Sequence, residues 1–158
     1  MRRFLSRTLD AAAVFSAACI AFIALSISCE VIARYFLHRP LRWTVEISEY
    51  LQIYFSFLSA AWVLRKKGHV GLDIVVDRLG PGGRRAFRIA TGILSVVVAA
   101  TLCLFGAIVA REQFLLGTPV IKSLEVPKWI VIAPIPLGMF LVTAESFVKL
   151  IDDLRGGG

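Results

Sequence analysis

The sequence predicts an all-α integral membrane protein with four transmembrane helices, and three observations carry that prediction. Of its 158 residues, 58% are apolar and only 18% are charged, a balance that ordinary water-soluble domains of this size do not show. Several uncharged runs are apolar all the way round instead of along one stripe, so lipid must face them. The Lys and Arg residues collect in the segments between those runs, as orientation in a bilayer requires. A net charge of +7 is therefore read as a topology signal, because the basic residues form no separate arm or module suited to nucleic acid.

Four segments, residues 9–32, 45–64, 89–110 and 129–150, come close to the roughly 20 residues that span a bilayer core. Each is expected to be helical, because lipid leaves backbone groups no partners outside their own helix. Together they make one membrane domain over residues 1–158. The first follows Arg2, Arg3 and Arg7, as a signal peptide would. Its 19 uncharged residues over 11–29 nevertheless reach spanning length, and Glu30 and Arg34 continue a helix-compatible stretch where a cleavage site would stand, so a retained helix is expected.

Twelve Lys and Arg fall near the two termini and in the loop after the second segment, against six in the other two loops. Short basic loops resist translocation, which places both termini in the cytoplasm. Trp43 and Trp129 then open the second and fourth segments on the outer side, where an indole prefers the headgroup layer. Pro127 suits a first helical turn. Pro134 and Pro136 lie inside the fourth segment and should bend it, a neighbouring helix or water taking up the freed carbonyls.

The central loop is too short and too charged to span, yet Leu72, Val75, Val76 and Leu79 recur at helical spacing and Gly80 to Gly83 stop the run. A short amphipathic helix over residues 71–79 is expected on the cytoplasmic membrane surface, with Arg84, Arg85 and Arg88 at the lipid phosphates.

Residues that could carry chemistry are few. Glu46 and Glu49 sit in the first turns of the second segment. Two readings stand: a cation or proton site, or acids that favour a helix N-terminus and pair with Arg34, Arg39 or Arg42 across the outer loop. Glu145 and Lys149, one turn apart, read as a pair reaching for the interface or as a contact with another subunit. His38 and His69 fall on opposite sides of the membrane and cannot share a haem or metal. Cys19, Cys29 and Cys103 form no CxxC pair and behave as small hydrophobes. Neither a Walker sequence nor a Gly-x-Ser-x-Gly elbow is present, so no enzyme activity, cofactor or metal is expected.

Against this background the order of motifs resembles one family. Trp43, Glu46, Tyr50 and Leu51 open the second segment, Leu58, Ser59, Ala60 and Ala61 lie within it, and Gly68, His69, Leu72 and Asp73 follow it. Pro136 and Gly138 stand in the last segment. This pattern is similar to that of the small permease subunit of tripartite ATP-independent periplasmic (TRAP) transporters, the DctQ-like family. Ser59 replaces the usual Gly, and Glu49 is an acid where a neutral or basic residue is expected.

The resemblance implies a three-part importer of organic anions. A periplasmic binding protein delivers the substrate, a large sodium-coupled permease subunit moves it, and the small subunit serves as a scaffold. On that footing Trp43, Glu46 and Tyr50 are expected to fix the outer end of the second helix, and Gly68, His69 and Asp73 the turn into the surface helix. Pro136 and Gly138 belong to the same set of anchoring or subunit-interface positions. Arg34, Arg39 and Arg42 face the periplasm as docking candidates for the binding protein. The alternative is a stand-alone proton-coupled transporter acting as a homodimer, for which Glu46, one turn from the interface, is the sole credible acid.

Overall fold

The structure is a computed structural model that describes residues 2–36, 38, 41–66, 81–117, 119–120 and 125–154. Long helices dominate it. Helix α1 runs over Arg2–Phe36, α2 over Arg42–Arg65 and α3 over Pro81–Leu116. A two-stranded antiparallel ribbon of β1 (Pro119–Val120) and β2 (Val126–Pro127) leads into the short α4 (Lys128–Ile132), which Ala133 joins to α5 (Pro134–Leu154). Gly117 ends α3 with φ +59° and donates its N–H to the Gln113 carbonyl at 3.2 Å. Only a residue without Cβ takes that left-handed cap cheaply.

Among the described residues three helices are long and apolar enough to cross a membrane: residues 5–36, 86–116 and 128–154. Helix α2 does not join them on composition, although its 24 residues would reach about 36 Å at the usual helical rise. Glu46, Ser48, Glu49, Gln52, Ser56 and Ser59 dilute its apolar character. Of the four transmembrane helices expected from the sequence, three thus have spanning length and composition, and the fourth is helical but falls short on composition. The expected amphipathic helix over residues 71–79 lies outside the described residues, as do Gly68, His69, Asp73 and Arg39.

The helices form a row. Helix α1 packs on α2, α2 on α5, and α5 on α3, and these are the extensive interfaces among the described residues. Helix α1 ends at Phe36 and α2 begins at Arg42, a short connection that makes them antiparallel neighbours, and the Ser16 hydroxyl lies 3.4 Å from the Phe55 carbonyl. Tyr54 meets Ile130, Phe57 meets Gly138 and Leu64 meets Lys149, so α2 and α5 run parallel. Gly92 sits against Leu150 and Gly106 against Pro136, so α3 and α5 run antiparallel.

What fills these interfaces inverts the pattern of a soluble core. The buried apolar residues are Leu9, Cys19, Ala33, Ala61 and Ala99, all but one of them small, whereas Phe22, Leu25, Leu94, Leu104, Phe105 and Phe140 are exposed. Lipid removes the hydrophobic force between helices, so close approach of small residues and hydrogen bonds must join them. The hydroxyls follow the same logic. Ser16, Ser28, Ser48, Thr91, Thr101 and Thr143 each donate to the carbonyl four residues earlier at 2.7–2.8 Å. In a bilayer a hydroxyl has few other acceptors.

Candidate subunit-interface site

Helix α2 packs between α1 and α5 and meets them at three depths. Near the start of α2 its neighbour α1 holds Glu30, only 4% exposed. Arg34, one turn on, donates to the Glu30 Oε1 from Nε at 2.9 Å and from Nη2 at 2.6 Å. An ionised carboxylate buried in a helix interface needs such a partner. Thr44 and Ser48 are buried at the start of α2, their hydroxyls accepted by the carbonyls of Leu41 and Thr44. Arg34 was expected to meet Glu46 or Glu49 across the loop; the structure gives it to Glu30, an acid the sequence reading had not singled out. The spacing of four residues in an otherwise apolar stretch was the signal for that pair.

At mid-depth the prolines decide the geometry. Pro134 has no N–H to give the Ile130 carbonyl, and the Tyr54 hydroxyl of α2 donates to that oxygen at 2.7 Å. This is the neighbouring-helix rescue expected for a proline within a span. A turn further, Gly138 is fully packed on α2: a Cβ there would stand 2.3 Å from the Phe57 carbonyl oxygen and 2.6 Å from its carbon. Backbone touches backbone, which only glycine permits. Pro136 lies against Gly106 of α3, and the Cys103 thiol reaches the Pro136 carbonyl at 3.5 Å.

At the C-terminal end of α2 the Lys149 ammonium donates to the Leu64 carbonyl, one of the last four acceptors of that helix, which lack an intrahelical partner four residues on. Glu145, 7% exposed, has no hydrogen bond or ion pair among the described residues. The expected Glu145–Lys149 pair therefore does not form, because the Leu64 carbonyl of α2 competes for the ammonium. Arg88 of α3 and Asp153 of α5 lie 3.9 Å apart.

The remaining sequence-predicted residues fall as follows. Trp43 is 42% exposed at the outer rim, and Trp129 meets Phe114 edge-on at 5.4 Å between ring centres. Glu46 is half-buried and Glu49 exposed. Tyr50 is half-buried with its hydroxyl oxygen buried and unpartnered. Arg42 opens α2. Among the described residues no group of His, Cys, Asp and Glu is arranged to hold a metal ion, and the three cysteines are free.

A membrane-embedded row of helices, stitched by polar and small residues, defines a multi-pass membrane protein whose polar side chains serve helix contacts. The chain belongs to the family of tripartite ATP-independent periplasmic transporters, DctQ component, whose model matches residues 23–156. It is thus a membrane subunit of a transporter, not an enzyme. It is 26% identical over 136 residues to the ectoine TRAP transporter small permease protein TeaB of Halomonas elongata, covering 86% of this chain and 69% of that one. It is 30% identical over 103 residues to the C4-dicarboxylate TRAP transporter small permease protein DctQ of Rhodobacter capsulatus, covering 63% of this chain and 44% of that one.

Proposed function

We propose that this chain is a single membrane domain that acts as the fixed scaffold for the large, sodium-coupled permease subunit of a TRAP importer of organic anions in a bacterial inner membrane. The observation that carries this reading is the row itself. Large apolar side chains point outward from α1, α3 and α5, while the helices meet through small residues and through Tyr54, Cys103 and Lys149, each of which donates to a carbonyl of a neighbouring helix. A midplane substrate site would need unwound half-helices and convergent polar groups. Helix α2, sheltered by α1 and α5, is taken as the fourth span, with both termini cytoplasmic. The relatives are named for ectoine and for C4-dicarboxylate, which supports placing substrate choice in the binding protein and the large subunit.

On this reading Trp43, Glu46 and Tyr50 anchor the outer end of α2 toward the partner, and Pro136 and Gly138 hold the α2–α5 seam that carries it. Gly68, His69 and Asp73 set the turn beyond α2. Arg34, Arg39 and Arg42 offer positive charge to the periplasmic binding protein. The test is affinity purification of a tagged copy expressed with its operon neighbours in mild detergent, followed by mass spectrometry. A large multi-span subunit is expected in stable association, weakened by Glu46→Gln. Recovery of this chain alone, as a homodimer that transports in liposomes, overturns the reading.

A further inference from the structure

An apolar groove of about 540 Å³ runs between α2 and α3 over α5. Small residues line it from all three helices: Ala60 of α2, Ser95 and Ala99 of α3, and Ser146 of α5, with Val98 and Leu102 along one wall. Small residues alone would only mean close packing. Ser146 adds a second, independent observation. It is 3% exposed and its hydroxyl has no hydrogen-bond partner, although six other helical hydroxyls of this chain return to the carbonyl four residues earlier. At the inner end of the groove stands Leu64, and the next residue, Arg65, holds a buried Nη1 without an acceptor.

The guanidinium can only donate and the hydroxyl can donate or accept, so whatever completes this face brings an acceptor to Arg65 and a polar group to Ser146. An acyl chain brings neither. A phospholipid answers Arg65 with its phosphate and leaves Ser146, one turn deeper than Lys149, unmet beside its tails. A helix answers both, through a side-chain oxygen or an open carbonyl at the depth of Ser146 and a carboxylate or terminal carbonyls at its end. We propose that this groove seats one transmembrane helix of the large permease subunit, a helix with a small-residue contact face, a polar group at the depth of Ser146 and an acceptor at the level of Arg65. The inference rests on the scaffold reading above and names the face through which that partner binds.

The test incorporates a photo-crosslinking residue at Val98, which is 49% exposed beside the groove, and at Leu104, which is 65% exposed on the opposite side of α3. Both are made in the tagged chain expressed with its operon neighbours. Irradiation is expected to give an adduct with the large subunit from Val98, at least severalfold stronger than from Leu104. Ala99→Leu, which fills the groove, should lower recovery of the large subunit about tenfold, and Ser146→Ala should lower it less. Where the unmodified chain retains the large subunit but Val98 crosslinks only lipid or a second copy of this chain, the groove assignment is overturned while the scaffold reading stands. If the unmodified chain retains no large subunit, the scaffold reading itself fails.

Discussion

Pro134 withholds one amide hydrogen from Ile130, and Tyr54 supplies the missing donor from another helix. The two residues should therefore be coupled. Tyr54→Phe is expected to cost about 1 kcal/mol of stability, the scale of a hydrogen bond between membrane helices. In a Pro134→Ala background, where the amide returns, the same change should cost less than half as much. A double-mutant cycle by unfolding in detergent checks this; equal costs in the two backgrounds would break the assignment. The prolines and their need were legible in the sequence. Tyr54 was not, because it lies 76 residues away and only the fold brings it near. The i,i+4 rule shows the same limit: it holds for Glu30 and Arg34, whereas Lys149 reaches the Leu64 carbonyl of α2, a contact that only the fold brings near.

The α2–α5 seam closes on Gly138, and substitution there tests whether the two helices need contact between their backbones. Gly138→Ala places a methyl 2.3 Å from the Phe57 carbonyl oxygen, so the seam must open. The expected loss is about 1–3 kcal/mol from overpacking, partly offset by the gain of up to about 1 kcal/mol in helix propensity. Gly106→Ala meets Ile135 and Pro136 side-chain atoms at 3.3 Å, contacts that can give way, and should be close to neutral. Thermal unfolding in detergent should show a clear fall in midpoint for the first variant and little for the second; a Gly138→Ala protein as stable as the parent would contradict the seam. Helix α2 also shows what hydropathy reads poorly. Its Ser48 is buried among the neighbouring helices, whereas Glu49, Gln52 and Ser56 stand exposed along one face, so a single hydropathy average mixes two different surroundings.

The whole molecule is a single layer of helices instead of a closed bundle, and its orientation remains the reading of eighteen basic residues. That orientation makes a simple prediction. After removal of the native cysteines, Glu125→Cys in the outer ribbon should react with an impermeant maleimide in cells with permeabilised outer membranes, and Lys66→Cys should not. The reverse labelling would invert the topology. The long apolar helices α1, α3 and α5 were legible in the sequence, since lipid dictates their length and composition, whereas the fourth expected span, α2, falls short on composition. Their order in space was not. The row α1, α2, α5, α3 depends on small residues, whose positions along each helix say little about which neighbour they touch.

The parallel course of α2 and α5 has an electrical result. Neighbouring antiparallel helices cancel much of each other's dipole, but the two at the centre of this row point the same way and add, each with roughly half a negative charge at its last turn. Arg65, Lys66 and Lys149 gather at that end, and Glu46 and Glu49 stand near the positive start of α2. The middle of the layer is therefore a polarised stripe flanked by two helices of opposite sense, and its fixed charges answer the backbone's own field at both membrane surfaces.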